Sequence, residues 1–129
     1  MVEKIGEYKG YKYCILFLEK RGFRNGYISI PETSNYYKRD YQNLPVYSVS
    51  LTYGDYLKPL DSYCIGWDHM EDQVYDTESI RKYTSDKKLA ETIISMIKLT
   101  KATKGKFTTL DDVEQECHEV IDELVKYSK

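Results

Sequence analysis

The hydrophobic pattern of this chain changes its period about halfway along, and this change restricts the fold more than any other feature. In the first half, aromatic, β-branched and other apolar residues come in short runs that are typical of strands. In the second half, apolar residues recur at intervals of three and four, which is the spacing of an amphipathic helix. Strands grouped before helices predict an α+β fold, with helices packed on one face of an antiparallel sheet.

The first half predicts a four-stranded antiparallel sheet. The four runs with strand character are Tyr11–Glu19, Phe23–Ile30, Val46–Tyr53 and Ser62–Trp67. Pro31 ends the second run, because proline has no N–H to donate to a ladder. Glu32–Leu44 is then a long, tyrosine-rich loop, and Gly54–Asp61 is predicted to be a turn. Long ordered loops in a compact domain are often functional.

The second half predicts two helices. Asp86–Thr100 carries an apolar stripe and has Ser85 as its expected N-cap. Thr109–Lys126 begins with a capping-box pattern, in which Asp112 replaces the usual glutamate. Its apolar stripe is Leu110, Val113, Cys117, Val120, Ile121 and Leu124. One stripe of this kind predicts that the last helix packs on one face of the sheet.

Length and charge exclude several classes of protein. A chain of 129 residues fits one domain, 1–129. The longest apolar run, Cys14–Leu18, is too short to span a bilayer, and Glu3, Lys4 and Glu7 interrupt any secretory signal, so we expect a cytoplasmic protein without a membrane partner. Nineteen basic and 21 acidic residues give a net charge of −2, which makes nucleic acid an improbable partner.

The three cysteines are Cys14, Cys64 and Cys117, and no two of them have the spacing of a zinc site. Each lies in an apolar stretch, so we expect three buried, reduced thiols. Common nucleotide-binding and hydrolase motifs are missing. We therefore expect no cofactor and no bound metal.

Tyrosine is the most unusual component, with 14 residues. A tyrosine offers a flat apolar face and one hydroxyl, and aromatic side chains beside cations suit the stacking of bases. The predicted ligand-binding residues are Tyr36, Tyr37, Lys38, Arg39 and Tyr41 in the loop, with Thr52, Tyr53, Asp68 and His69 at the strand ends. The alternative is that tyrosines of this chain belong mainly to the core and to cross-strand pairs.

Two further clusters carry alternative functions. Asp68, His69 and Asp72 follow the last strand and are candidates for general acid–base catalysis; a turn capped by Asp68 is the structural alternative. The last helix carries seven carboxylates with no base among them, and these could imitate nucleic acid toward a basic partner. The predicted partner-binding residues are Asp111, Asp112, Glu116, Glu119, Asp122 and Glu123.

Five short motifs in order resemble a family of small, mostly uncharacterised phage and prophage proteins. The family pattern runs Gly-Tyr-Val/Ile-x-Val-Pro, a Tyr-rich loop, His-Gly-Gly-Leu-Thr-Tyr, Gly-Phe-Asp-x-x-His-x-x-Asp and a helix near Glu-Tyr-Val-x-x-Glu-Cys. The corresponding segments here are Gly26–Pro31, Tyr37 with Tyr41, Leu51–Tyr53, Gly66–His69 with Asp72, and Asp112–Cys117. The resemblance covers Gly22–Leu124, with a variable insertion at Gln73–Gly105.

This chain departs from the family pattern at two positions. Ser48–Ser50 stand where the family has His-Gly-Gly, and Asp68 and His69 are adjacent rather than separated. If the family pattern is catalytic, part of it is missing here, which favours binding over turnover.

The resemblance implies a non-catalytic accessory protein that counters host defence, either by binding a host defence protein or by sequestering a small nucleotide-like signal. The two alternatives are an enzyme acting on nucleotides or nucleic acid and an acidic interaction module. The sequence leaves open whether the chain forms homo-oligomers.

Overall fold

In the computed structural model, which describes residues 1–128, one antiparallel sheet is covered by helices on one face. The strands are β1 (Val2–Tyr8), β2 (Tyr11–Leu18), β3 (Phe23–Ser29), β4 (Tyr53–Leu57) and β5 (Ser62–Asp68), in the spatial order β1-β2-β3-β5-β4. The helices are α1 (Thr77–Tyr83), α2 (Lys87–Ile97) and α3 (Leu110–Tyr127). The α+β class and the antiparallel sheet are therefore confirmed.

The sheet has five strands, so the predicted number of four is wrong. The unpredicted strand is β1, which lies at an edge and has three charged residues among its seven. It joins β2 through a two-residue turn in which Lys9 and Gly10 have φ values of 48° and 83°. Positive φ at both central positions matches the right-handed twist of a hairpin. Charges on an edge strand also discourage pairing with other chains, and they concealed this strand in the hydrophobic pattern.

The predicted strand at Val46–Tyr53 is also wrong: residues 46–52 are irregular, and the strand β4 begins only at Tyr53. The backbone N–H groups of Tyr47 and Ser48 donate to the carboxylate of Glu123 on α3, at 2.8 and 3.2 Å, instead of to a neighbouring strand. The region predicted as the Gly54–Asp61 turn accordingly contains most of β4 and a 3-10 turn at Lys58–Leu60.

Three helices are present within residues 1–128, where two were predicted. The additional helix, α1, has only seven residues, and its N-cap Asp76 accepts from the N–H of Ser79 at 2.9 Å. The N-cap of α2 is Asp86 and not Ser85. No helix in this part of the chain is long and apolar enough to cross a membrane.

Helix α3 begins at the predicted capping box, formed by Thr109 and Asp112, and packs on the sheet as expected. Its stripe residues Val113, Cys117, Val120, Ile121 and Leu124 are fully buried. They contact the inward-facing side chains of the sheet, which are Tyr13, Ile15, Ile28, Ile65 and Trp67. A second core cluster lies between the sheet and helices α1 and α2.

A buried ionic network fixes α1 and the loop before α3 to the sheet. The guanidinium of Arg24 on β3 donates to both carboxylate oxygens of Glu3, at 2.6 and 2.9 Å, and to Asp76 at 2.8 Å. It also donates to the carbonyl of Thr108 at 3.1 Å. The three ionic side chains are at most 4% exposed. Arg24 therefore helps to hold Thr108, whose hydroxyl reaches Asp72 just after β5.

Candidate functional site

A pocket of about 370 Å³ lies where β5 ends, between helix α3 and the irregular residues 48–52. We call it the acidic pocket, and it is lined by Ser48, Val49, Ser50, Thr52, Trp67, Asp68, His69, Glu71, Asp72 and Glu116. Glu123 of α3 holds one end of the wall contributed by residues 48–52, because its carboxylate also accepts from the Ser48 hydroxyl at 2.5 Å. Three parts of the chain that are distant in sequence thus meet at one pocket.

His69 lies at the centre of a hydrogen-bond network in this pocket. Its Nε2 is 2.7 Å from Oε1 of Glu116, and its Nδ1 is 3.1 Å from Oδ1 of Asp72. The same Glu116 oxygen accepts from the indole Nε1–H of Trp67 at 3.1 Å. The Thr108 hydroxyl donates to the other oxygen of Asp72 at 2.6 Å. The imidazole is thus held by a carboxylate at each ring nitrogen.

These two carboxylates raise the pKa of His69 from 6.5 to about 9, with the hydrogen bond to Glu116 as the largest cause. Burial opposes the shift, because it disfavours the charged ring, but it does not cancel it. His69 is therefore an imidazolium at neutral pH, and both of its N–H groups donate to carboxylates. A ring in this state has no free lone pair with which to accept a proton from a substrate.

Asp68 is half-buried and has a structural role. Its carboxylate accepts from the N–H of Met70 at 3.0 Å and from the Thr52 hydroxyl at 3.1 Å. The first bond caps the turn after β5, and the second attaches residues 48–52 to the strand end. The structure therefore shows the capped turn that was the alternative to a catalytic cluster, although Asp68, His69 and Asp72 do lie together.

The charges of the acidic pocket determine what it can accept. Asp68, Glu71, Asp72 and Glu116 supply four carboxylates and His69 one imidazolium, which gives a formal charge of −3. Val49 and Trp67 supply apolar surface beside them. A site of this composition attracts a cation with an apolar stem and repels an anion.

None of the predicted residues of the tyrosine loop lines the acidic pocket. Tyr36 is 3% exposed, and its hydroxyl donates to the carbonyl of Leu124 at 3.0 Å, so its ring belongs to the core and cannot stack on a ligand. Tyr37 is half-buried and packs edge-on against Tyr63, with ring centroids 5.5 Å apart. The prediction of Tyr36 as a ligand-binding residue is therefore wrong.

The remaining loop residues lie outside the acidic pocket. Lys38 and Arg39 are exposed and do not line it. Tyr41 lines a neighbouring cavity of about 430 Å³, which shares Val49 and Ser50 with the acidic pocket. Tyr53 packs edge-on against Tyr27, in the apolar cluster of the other sheet face.

The acidic residues of α3 are mostly occupied within the protein itself. Asp112 closes the capping box, Asp122 pairs with Lys9 at 2.6 Å, Glu123 holds residues 47 and 48, and Glu116 belongs to the His69 network. The other two predicted partner-binding residues, Asp111 and Glu119, are exposed. The helix therefore does not present the six carboxylates as one unpaired surface.

Glu116 was predicted only as part of the acidic helix, and its bond to His69 could not be found from local spacing. The two residues are 47 positions apart, and only the packing of α3 across the sheet brings them together. Ser48, Val49, Ser50, Glu71 and Trp67 were not predicted to line a site. The i, i+3 spacing of His69 and Asp72 is the one part of the network that is visible in the sequence.

Within residues 1–128, no group of three His, Cys, Asp or Glu side chains is arranged to hold a metal ion. The three cysteines are buried and free, as expected. No protein-family model matches this chain, and neither a curated protein nor a solved structure is detectably similar to it. The resemblance to phage proteins therefore stays a prediction.

Proposed function

We propose that this protein is a non-catalytic binding protein that accepts a lysine or arginine side chain of a partner protein in the acidic pocket. The observation that carries the proposal is the formal charge of −3 in a pocket that also has an apolar wall. An ammonium or guanidinium head pairs with carboxylates, and the aliphatic stem of such a side chain packs on apolar surface. Asp68 and Glu71 are the carboxylates of the pocket that do not contact His69.

The same charges favour a protein partner over a nucleotide-like signal. A phosphate in this pocket would lie among four carboxylates, and the loop cations Lys38 and Arg39 do not line it. The state of His69 favours binding over turnover, because a protonated ring with both N–H groups donating is a poor general base.

The resemblance to phage proteins supplies the biological setting of the proposal. We take the partner to be a host defence protein, which is inhibited because this protein occupies one of its basic surfaces. Complementary charges on two such surfaces also accelerate association, and this acceleration falls as salt rises.

Trp67 provides a direct test, because it is the only tryptophan of the chain and lines the pocket. Its fluorescence should change saturably with a 12-residue peptide containing three arginines. It should not change with the citrulline version of that peptide or with ATP. The double variant Asp68→Asn/Glu71→Gln should weaken peptide binding by about tenfold, whereas Glu119→Gln, outside the pocket, should have almost no effect.

Two results would reject this proposal. Equal affinity for the arginine and citrulline peptides would show that charge does not determine binding. Saturable binding of ATP would instead favour the sequestration of a nucleotide-like signal. Turnover of ATP, with or without a divalent metal, that is lost in Asp68→Asn would favour the enzyme.

A further inference from the structure

A second surface lies on the other side of the turn that follows β5 and has the opposite charge. It is a groove of about 250 Å³ between helix α2 and the turn after β2. We call it the basic groove; its floor is Tyr75, Ile93, Met96 and Ile97, and its rim is Lys20 and Arg21. The hydroxyl of Tyr75 donates to the carbonyl of Met70, at 2.5 Å, so the groove begins next to the acidic pocket.

One apolar side chain of this groove is open to water. Met96 is 66% exposed, and Leu99, which follows α2 and lies outside the groove lining, is 83% exposed. The main apolar face of α2 is not responsible, because Ala90, Ile94 and Ile97 are buried in the core. The exposed side chains therefore form a separate, small apolar patch at the edge of the helix.

The cations around the groove lack ionic partners in the described chain. Lys20, Arg21 and Lys101 are within 4 Å of no carboxylate among residues 1–128. Lys101 instead lies 5.2 Å from the centre of the Tyr75 ring, and Arg21 lies 5.7 Å from that of Phe23. The three cations give the rim of the groove a positive charge, while Asp68, Glu71 and Asp72 of the acidic pocket act on Tyr75 from the other side.

We propose that the basic groove binds an acidic segment of a partner protein that packs one large apolar side chain against Met96. The carboxylates of such a segment would pair with Lys20, Arg21 and Lys101, and its apolar side chain would cover Met96, the exposed side chain of the floor. This inference does not depend on the proposed function, since it uses a different surface and the opposite charge.

Two other classes of partner fit the groove less well. A lipid surface is bound by a broad apolar face along a helix, but here that face is in the core and only a small patch remains. A single-stranded nucleic acid needs aromatic faces for stacking. Tyr75 is 8% exposed and already has Lys101 over its ring.

The test uses a fluorescein-labelled 12-residue peptide in which leucine or phenylalanine alternates with runs of glutamate. Its binding is measured by fluorescence anisotropy. Binding should be saturable and should weaken as salt rises. Replacing all glutamates by glutamine, or all apolar residues by serine, should weaken binding by about tenfold or more.

The matched variants locate the site. Lys20→Gln/Arg21→Gln should weaken binding of the acidic peptide by about fivefold or more, because it removes two rim charges. Lys12→Gln/Lys58→Gln removes the same charge from exposed positions outside the groove and should leave the affinity within about twofold. Met96→Asp should weaken binding by about tenfold without changing the urea midpoint.

Four results would overturn the proposal. These are no saturable binding up to about 1 mM peptide, equal affinity for the glutamine peptide, and equal effects of the two double variants. The fourth is that the natural protein binds no peptide but instead binds phosphatidylglycerol vesicles or forms a concentration-dependent dimer, and that the groove variants abolish this vesicle binding or dimerisation. Because the peptides and variants differ from those used for the acidic pocket, either proposal can fail while the other holds.

Discussion

The His69 network should make the stability of this protein fall between pH 6.5 and pH 9. The pKa of His69 is raised from 6.5 to about 9 in the folded protein, because Glu116 and Asp72 stabilise the charged ring. Folding is therefore favoured as long as the folded ring is protonated, so the gain is complete below pH 6.5 and is lost as the pH rises through 9.

The size of this effect follows from the pKa values. Each pKa unit corresponds to about 1.4 kcal/mol, so the shift contributes about 3 kcal/mol at low pH and about 2 kcal/mol at pH 7.5. The His69 side chain is 16% exposed, so solvent screens the interaction only weakly.

Urea unfolding of the natural protein and of His69→Gln, followed from pH 6 to pH 10, measures this effect. The difference in unfolding free energy between the two proteins should shrink by about 3 kcal/mol over that range. Because all other titratable groups are common to both proteins, their contributions largely cancel. Glu116→Gln should reduce the pH dependence more than any other single change of a neighbour, since its hydrogen bond is the largest cause of the shift. A difference that is constant from pH 6 to pH 10 would refute the reasoning.

Three other outcomes follow from the buried parts of the fold. Ile121→Ala should lower the unfolding free energy by about 2–5 kcal/mol, because the Ile121 side chain of α3 is fully buried against the sheet, and an unchanged urea midpoint would show otherwise. Arg24→Met should cost about 3–5 kcal/mol in the same assay, since it leaves the carboxylates of Glu3 and Asp76 buried without their cation. A thiol reagent at pH 8 should modify none of Cys14, Cys64 and Cys117 in the native protein and all three in urea. All three thiols are buried, and burial raises the pKa of each; rapid modification before unfolding would contradict this.

The parts of the fold that could be predicted are those in which local pattern and tertiary burial agree. Strands β2, β3 and β5 are central in the sheet and are rich in buried apolar and aromatic residues, and α3 has a complete apolar stripe. Strand β1 and helix α1 escaped prediction for physical reasons. The first is a charged edge strand, and the second is a single short helix stabilised by its Asp76 cap.

The irregular segment 46–52 shows why the site was harder to predict than the fold. Its alternating pattern is typical of a strand, but Glu123 of α3 takes up two of its N–H groups. The same helix brings Glu116 to His69. Both contacts depend on where α3 lies across the sheet, and local spacing carries no information on that position.

The central claim is that the acidic pocket recognises a basic side chain, and the single indole N–H signal of Trp67 tests it most directly. This N–H donates to Glu116 inside the pocket, at 3.1 Å. In a two-dimensional ¹H–¹⁵N NMR titration with the arginine peptide, we expect this signal to shift saturably in the natural protein and to shift little in Asp68→Asn/Glu71→Gln. An indole signal that stays fixed while the amides of Lys38 and Arg39 shift would place binding on the tyrosine loop and contradict the account.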